Sequence, residues 1–485
     1  MHHLICFYNR HGVNLKIIVT LLMAVNFVSC LSSKKSNKRS TATLQPTLAF
    51  PEAEGFGKYT TGGRGGRVLL VDNLNDNGPG SFRWAAEADG PRIIVFAVAG
   101  TIHLQKKIRI KGNATIAGQS APGEGICIAD QSVSLDGDNI IVRYMRFRLG
   151  DKFQRGGKID GNGGDDAFGG FRRKNIIIDH CSFSWSTDEA FSIYAGDSMS
   201  VQWNLVAEPL NYSYHFEAGD SDYEHHGFGA IWGGAHASFH HNLFAHCNSR
   251  TPRFNGIRHT AEENCDFSNN VIYNWGGNNV YAGEGGHYNI INNYYKPGPS
   301  TSKKSLDHFA TPYRRKDIPF GQWHVQGNVM EGDEALSDNN WAGVHLNEPL
   351  PDDKFDNVVM PTAFPFEPIS LQNAKQAYDD VLNRSGCTLP SRDTLDLRII
   401  DDVRNRTGKL IDVQGGYPHG TAYEQTVNAW PSLRSGNLLT DKDKDGMPDV
   451  WEKANGLNPD SNDAAIYKLS KQYTNIEIYL NQLVK

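Results

Sequence analysis

The tetrad Asn269-Asn270-Val271-Ile272 decides the fold, because five similar tetrads occur in the middle of the chain. The others are His180-Cys181-Ser182-Phe183, Trp203-Asn204-Leu205-Val206, His241-Asn242-Leu243-Phe244, Asn292-Asn293-Tyr294-Tyr295 and Gly327-Asn328-Val329-Met330. Their second positions lie 23, 38, 28, 23 and 35 residues apart, which fits one coil of about two dozen residues with loops inserted in some coils. Self-similarity at this period predicts a solenoid.

Asparagine occupies the second position of five of the six tetrads. In stacked coils, each such asparagine can pair with its copies above and below, which satisfies amide groups that would otherwise be buried without a partner. Short strand-like runs also precede the tetrads, for example Ile93–Ala97 and Ile140–Phe147. The sequence therefore predicts an all-β protein, a right-handed parallel β-helix whose loops project from one face and build a cleft, followed by a short C-terminal calcium-loop tail.

The composition excludes some classes of function. The 485 residues carry a formal net charge of −6, so no basic surplus is available to offset nucleic-acid phosphates. Any acidic polymer would have to be bound by local cations. Beyond Cys30 the chain has five cysteines and no CxxC pair, which argues against a disulfide scaffold or a zinc site. We expect most of them to be small buried core residues.

The N-terminus resembles an export signal. Basic residues precede a mainly apolar run, Ile17–Val28, which is too short to span a bilayer comfortably. Residues 1–30 are predicted to be a signal peptide, so the protein is expected to be exported: secreted, periplasmic or held at the outer surface. Two interpretations stay open for Cys30, which is either the site of a lipid anchor, as in bacterial lipoproteins, or part of an ordinary cleaved signal.

The rest of the chain divides into a polar linker (31–48), the β-helix (49–350), an extension that packs on it (351–438) and the tail (439–485). In the extension, Ser370 is predicted to cap an amphipathic helix whose apolar stripe includes Leu371 and Val381, with Gly386 beyond its end.

The tail contains a spacing typical of calcium-binding loops. Its acidic residues stand at positions 1, 3, 5, 9 and 12, with Gly446 at position 6; they are Asp441, Asp443, Asp445, Asp449 and Glu452. The alternative is an acidic, solvated turn. Because no nucleophile or base candidate accompanies them, a calcium ion here is predicted to have a structural role.

Chemistry is predicted elsewhere, around Arg250-Thr251-Pro252. This cation follows the strand-like run Ser238–His246, and about seventy residues upstream another strand-like run is followed by Thr187-Asp188-Glu189. A cation just beyond one strand, with carboxylates delivered from a neighbouring strand, suits chemistry on an acidic substrate held by a metal.

The sequence resembles the pectate lyases of polysaccharide lyase family 1, especially Bacteroidetes-like members, from about Ala49 to the tail. Ile178-Asp179-His180 is similar to the family's WiDH motif, and Arg250-Thr251-Pro252 is similar to the start of its RxPxxR motif. The stretches Gly227–Gly234 and Gly283–Tyr295 are also similar to the family. The resemblance implies the same parallel β-helix and an activity on pectin.

The resemblance also implies a calcium site. Asp166 stands thirteen residues before Asp179, and Asp188 matches the next ligand position. The position of the third family ligand is Ser192, not a carboxylate, so the neighbouring Asp165 and Glu189 are candidates to compensate. Ca²⁺ takes six to eight oxygen ligands and tolerates irregular cages.

Arg250 is implied to be the catalytic base or the group that stabilises the carbanion. The last arginine of the family motif is Asn255 here, so Arg253, Arg258 and Lys296 are candidates to replace it on the same face. Family members tend to have a lysine shortly before the Gly227–Gly234 stretch, and this chain has none there. His226 is a candidate substrate contact, whereas Asp179 and His180 are predicted to form structural hydrogen bonds across coils.

The implied reaction is calcium-assisted β-elimination on α-1,4-linked polygalacturonate, which gives 4,5-unsaturated oligogalacturonides. Three alternatives stay open: a polygalacturonase-type hydrolase on the same scaffold, a calcium-independent pectin lyase, and a non-catalytic β-helical glycan-binding protein. We expect a monomer that binds polysaccharide and no nucleic acid.

Overall fold

A computed structural model describes residues 46–350 and 357–484, and the chain from Pro46 onward forms one compact unit. The predicted signal peptide, Cys30, nearly all of the predicted linker and the acidic segment 351–356 lie outside the described residues. Within the described ranges, no helix combines the length and apolar character needed to cross a membrane.

Short strands dominate the described residues. In chain order they are β1 (Arg67–Val71), β2 (Arg92–Phe96), β3 (Gly100–His103), β4 (Ile108–Ile110), β5 (Ala114–Ala117), β6 (Ile126–Ala129), β7 (Val133–Leu135), β8 (Ile140–Arg143), β9 (Arg146–Arg148), β10 (Phe168–Phe171), β11 (Lys174–Asp179), β12 (Ser182–Ser184), β13 (Phe191–Gln202), β14 (Leu205–Ala207), β15 (Ile231–Gly234), β16 (Ala237–His240), β17 (Leu243–Ala245), β18 (Arg253–Phe254), β19 (Asn264–Ser268), β20 (Val271–Tyr273), β21 (Val280–Ala282), β22 (His287–Ile291), β23 (Tyr294–Lys296), β24 (Ala310–Pro312), β25 (Gln322–Gln326) and β26 (Val329–Met330).

The α-helices are short and most follow the solenoid. They are α1 (Phe82–Ala86), α2 (Gly157–Asp160), α3 (Glu334–Asp338), α4 (Ala374–Arg384), α5 (Thr394–Asn405), α6 (Tyr423–Thr426), α7 (Asp449–Ala454) and α8 (Asn475–Gln482).

All pairings between named strands are parallel, and the strands stack in three sheets. Sheet 1 contains β1, β2, β5, β8, β11, the second half of β13, β16, β19, β22 and β25. Sheet 2 contains β3, β6, β9, β12, β14, β17, β20, β23 and β26. Sheet 3 contains β4, β7, β10, the first half of β13, β15, β18, β21 and β24. Each coil visits sheets 1, 2 and 3 in turn, so the predicted parallel β-helix is confirmed.

The predicted asparagine ladder lies at the bend between sheets 1 and 2. The side-chain oxygen of Asn242 accepts from the backbone N–H and the side-chain amide of Asn204, at 3.0 Å each. The same pair of bonds continues coil by coil through Asn270, Asn293, Asn328 and Asn340. Each asparagine thus satisfies the buried backbone N–H and side-chain amide of its neighbour in the ladder. The repeated tetrads therefore fix where every coil turns.

The residue before each ladder asparagine from Asn204 to Asn328 has a positive φ, for example 57° at Trp203 and 56° at His241. Such backbone is uncommon outside glycine. Stacking compensates for it: the Trp203 and His241 rings are 4.2 Å apart, and Tyr144 and His180 continue the stack on earlier coils.

The extension covers the outer side of sheet 2. Val381 in α4 and Ile399 in α5 are buried in one apolar cluster with Leu243 and Val271 of that sheet. The predicted start of this helix at Ser370 is wrong. Helix α4 begins at Ala374, because the Asn373 side chain caps it by accepting from the Gln376 N–H, whereas the Ser370 hydroxyl bonds to Glu54.

The tail packs on the outer side of the first coils of sheet 1. Met447, Leu457 and Ile476 share an apolar cluster with Ile93 and Val95 of β2. The five cysteines of the described residues are free and buried, as expected for small core side chains.

Candidate active site

The loops that run from sheet 2 to sheet 3 carry the predicted site, and the parallel register aligns them. Phe168 of β10 pairs with Phe191 of β13. Bridges then link Glu189 to Phe228 and Phe228 to Ser249 on the next coils. Residues just before the strands of sheet 3 therefore stand above one another, although they are far apart in sequence.

This register brings together three carboxylates. Oxygens of Asp166, Asp188 and Glu189 lie within 4.8 Å of one another. Asp166 also accepts from the Glu189 N–H and hydrogen-bonds with Ser192. Burial and the neighbouring Asp188 carboxylate raise the pKa of Asp166 well above its usual value. Oxygen donors held this close while repelling one another suit a hard divalent cation.

Asp165 is oriented differently from these three residues. One of its oxygens forms an ion pair with Lys107, and the other accepts from the Gln154 amide at 3.0 Å. Lys107 comes from the loop before β4, so it supplies a cation at this edge of the site. The carboxylate of Asp165 is thus already paired, and its role as a metal ligand stays a prediction.

Arg250 lies beside the carboxylates although it is two coils beyond Glu189, with the coil of Phe228 between them. Its guanidinium forms an ion pair with Glu189 and lies 3.9 Å from the ring centroid of Phe228. Its Nε atom is buried without a hydrogen-bond partner. The backbone holds it in place, since Ala230 N–H donates to the Arg250 carbonyl at 2.8 Å and a Cβ on Gly229 would lie 2.5 Å from that carbonyl oxygen.

Further arginines lie over the next part of sheet 3, around the buried Glu284. Arg253 and Arg315 contact the same Glu284 oxygen at 3.2 Å and 3.0 Å, and Arg258 lies 3.9 Å from the other oxygen. Arg253 is buried, whereas Arg258 is half-buried and Arg315 is exposed. Burial and the neighbouring Arg253 lower the pKa of Arg258 to about 10. Three cations around one carboxylate leave an excess of positive charge for an acidic ligand.

Two residues considered at the end of the arginine motif have structural contacts. Asn255 is buried and donates to the Gly256 carbonyl at 2.6 Å. Lys296 was predicted on the same face as Arg253, and this prediction is wrong. Lys296 lies on β23 of sheet 2, where its ammonium donates to the Tyr378 hydroxyl at 3.0 Å and lies 3.6 Å from Glu331.

His226, a predicted substrate contact, is buried with a second histidine. The His215 and His226 rings are 3.7 Å apart, and Asp188 and Glu224 lie on opposite sides of the pair. Burial lowers the pKa of His226 to about 4, so its imidazole is neutral near pH 7. Little of its surface is available to a polysaccharide.

Asp179 and His180 have the structural contacts expected from the sequence. Asp179 is fully buried; it accepts from Arg143 and Gln202 on the neighbouring coils and contacts His180 Nδ1 at 2.8 Å. Burial alone would raise the pKa of its carboxyl, but His180 and Arg143 outweigh this effect and hold the pKa well below its usual range.

The tail loop gathers a second group of carboxylates. Asp441, Asp443 and Asp445 have oxygens within 4.8 Å of one another. Glu452 is buried, and both its oxygens lack a hydrogen-bond partner. Asp449 accepts from the Lys442 N–H at 2.9 Å, which closes the loop.

Sequence reasoning missed several residues of the site. Lys107, Phe228, Glu284 and Arg315 each reach it from a different coil. Phe228 and Glu284 lie in the two family-like stretches, but nothing in those stretches singled them out. All four residues stand just before or after a strand of sheet 3, and loops of variable length hide that position in the sequence.

The fold and the site define a solenoid protein that places a carboxylate cluster beside arginines along the loops before sheet 3, the region predicted to form the cleft. This arrangement is suited to an acidic polysaccharide. The chain is 33% identical over 457 residues to a probable pectate lyase C of Aspergillus fumigatus, covering 90% of this chain and 94% of the relative. It is 32% identical over 479 residues to a probable pectate lyase C of Aspergillus flavus, covering 95% and 98%. The chain belongs to the pectate lyase family and is a polysaccharide lyase.

These relatives are fungal, and the comparisons do not support the predicted resemblance to Bacteroidetes-like members. No family model matches the chain. Among solved structures, it is similar to a pectate lyase of a Bacillus species in complex with trigalacturonate (18% identity, TM-score 0.41, covering 69% of this chain and 98% of that one). It is also similar to the cedar-pollen allergen Jun a 1 (15% identity, TM-score 0.41, 69% and 93%). These values are too low to support conclusions about individual residues.

Proposed function

We propose that this pectate lyase cleaves α-1,4-linked polygalacturonate by calcium-assisted β-elimination and releases 4,5-unsaturated oligogalacturonides. The observation that carries the proposal is that coil stacking brings Asp166, Asp188 and Glu189 together and places Arg250 against Glu189. A hydrolase would instead need two carboxylates placed as acid and base, and Asp165 is already paired with Lys107.

Asp166, Asp188 and Glu189 would hold the calcium ion. The raised pKa of Asp166 fits this assignment, because the three carboxylates repel one another until a cation joins them. When bound, Ca²⁺ would act as a Lewis acid on the uronate carboxylate and so offset the charge that develops when the C5 proton is lost. With Ser192 in place of a third aspartate, we expect substrate carboxylates and water to complete the coordination.

Arg250 is proposed as the group that removes the C5 proton, or that stabilises the carbanion as the C4–O bond breaks. Arginine is a poor base in water, and here the guanidinium forms an ion pair with Glu189 and lies over the Phe228 ring. Arg250 would therefore reach the C5 proton only when Glu189 turns away from it, for example toward the calcium ion.

Arg258 and the exposed Arg315 are proposed to bind further uronate carboxylates along the groove. Arg253 contributes indirectly, because it is buried and holds Glu284 in place. Bidentate arginine–carboxylate pairing gives orientation as well as affinity. These arginines would replace the last arginine of the family motif, whose position is occupied by Asn255 in this chain.

The tail loop is proposed to bind a separate, structural calcium ion through Asp441, Asp443, Asp445, Asp449 and Glu452. Its buried, unpaired Glu452 oxygens favour a cation over a solvated turn. Export, a lipid anchor at Cys30 and a monomeric state also stay predictions.

The test is to incubate the protein with polygalacturonate and follow ultraviolet absorption of the new double bond, with calcium and with chelator. We expect absorbing products only with calcium. Reducing ends without absorption would indicate a hydrolase. Unchanged activity in chelator, best on methyl-esterified pectin, would indicate a calcium-independent pectin lyase.

A further inference from the structure

The paired histidines His215 and His226 lie next to the carboxylate cluster, in the loop between β14 and β15. Both side chains are about nine-tenths buried, with 9% of each exposed. Their Nε2 atoms lie 3.9 Å and 3.7 Å from the two oxygens of Asp188. These separations are too long for hydrogen bonds. One donor atom from each of the three residues lies within 4.8 Å of the others.

Glu224 lies on the opposite side of both rings. One of its oxygens hydrogen-bonds with His215 Nδ1 at 2.8 Å and lies 3.3 Å from His226 Nδ1, which is buried without a hydrogen-bond partner. The carboxylate on His215 Nδ1 keeps the proton there and leaves the His215 Nε2 lone pair free to bind a metal. The backbone is shaped around this pair, since a Cβ on Gly164 would lie 2.1 Å from the His215 ring.

We propose that His215, His226 and Asp188 form a second metal site, which takes a divalent transition ion such as Zn²⁺, Mn²⁺ or Co²⁺. Two imidazoles and one carboxylate favour these ions, whereas Ca²⁺ prefers oxygen ligands alone. Ligands of a tetrahedral zinc ion are roughly 3.3 Å apart, so small rotations of these side chains would suffice. Asp188 would then belong to both sites, placing the transition ion beside the proposed calcium site.

The alternative is a purely structural histidine pair packed on Phe228, whose ring lies 4.3 Å from that of His226. Stacking and the Glu224 contact would then be the whole role of the pair. Only direct metal binding separates the two interpretations.

The test is titration of the chelator-treated full-length protein with Co²⁺ in saturating Ca²⁺, followed by visible absorption and calorimetry. We expect the wild type to bind one Co²⁺ more than the His215→Gln/His226→Gln double variant. The absorption bands of that ion should be present in the wild type and absent from the double variant. His236→Gln, which removes an exposed histidine paired with Asp197, is the matched control and should bind like the wild type. His345→Gln controls for the separate Asp307, His308 and His345 cluster.

Glu224→Gln provides a second test that keeps all three ligands. It should weaken Co²⁺ binding about 10- to 100-fold, because the outer carboxylate no longer orients the rings. This variant decides the question if the double variant does not fold. Equal Co²⁺ stoichiometry and spectra in the wild type, Glu224→Gln and any folded double variant would overturn the proposal. So would one-for-one displacement of Co²⁺ by Ca²⁺. Because the readout is metal binding, the result does not depend on lyase activity.

Discussion

The cleft and the tail loop both gather carboxylates for a hard cation, but they do so differently. In the cleft, Asp166, Asp188 and Glu189 come from two loops, and Arg250 already neutralises Glu189. In the tail, one contiguous loop supplies the ligands, and Glu452 is buried with both oxygens unpaired. The tail is therefore suited to the structural ion proposed for it. The cleft would divide its carboxylate charge between the proposed calcium ion and Arg250, the proposed catalytic cation.

The largest expected effect separates the two regions by activity. Arg250→Ala should lower kcat by about 10²- to 10⁴-fold, because it removes the group that handles the C5 proton. Steady-state rates on polygalacturonate with saturating calcium measure this loss. Arg434→Ala, which removes an exposed arginine paired with Glu124, is the matched control and should keep the wild-type rate. If Arg250→Ala stays active, the cleft assignment is wrong.

The second effect separates the regions by stability. Saturating calcium at about 100 times its Kd should raise the free energy of unfolding by about 2.7 kcal/mol. Glu452→Gln should lose most of this increase, because it removes a ligand of the proposed tail ion, in a loop that packs through Met447 on Ile93 and Val95. Asp188→Asn should keep it. Thermal unfolding of the three proteins with calcium and with chelator gives the comparison, and the reverse pattern would make the cleft the structural site.

The third effect is a pH dependence of the calcium-free protein. Burial, with the neighbouring Asp445, raises the pKa of Glu452 from 4.5 to about 7, and burial raises that of Asp445 from 3.8 to about 6. Both folded-state values exceed the unfolded ones, so the folded state binds protons more tightly. In chelator, the contribution of these two carboxyl groups to stability should therefore fall as the pH rises from about 4 to about 7.

Chemical denaturation across this pH range, in chelator and in calcium, measures the slope. Calcium should flatten it, because the ion replaces the protons. Glu452→Gln should reduce the slope in chelator without removing it, since Asp445 and Asp166 also have raised pKa values. A slope in chelator that Glu452→Gln leaves unchanged would contradict this account of the tail.

The difference between the two regions also explains what the sequence could predict. The tail loop is readable because its ligands lie within twelve residues, and the coils are readable because the ladder asparagines repeat. The cleft is assembled by coil stacking across inserted loops. Asp166 and Asp188 were found through family spacing, whereas the pairing of Lys107 with Asp165 spans 58 residues and has no local signal.

Lys296 shows the same limit of sequence-based prediction, because it was included in the site wrongly. A cation at the end of a strand was assigned to the cleft, but β23 belongs to sheet 2 and its outer side faces the extension. Sequence periodicity predicts which side of a strand faces the core, but it does not predict which of the three sheets the strand joins. His215 and Glu224 were missed because their loop has no period at all.

The smallest expected effect tests whether Asp165 belongs to the calcium ligands proposed in the cleft. Asp165→Asn should raise the calcium concentration needed for half-maximal activity less than about fivefold, because Asp165 is paired with Lys107 and Gln154, and an exposed ion pair contributes little. Asp188→Asn should raise it far more, since it removes a ligand of the proposed ion. Calcium titrations of activity for both variants give the ratio. Equal shifts would make Asp165 a fourth ligand. The cleft would then approach the tail loop in ligand number, and the two regions would no longer differ as a shared site and a preformed site.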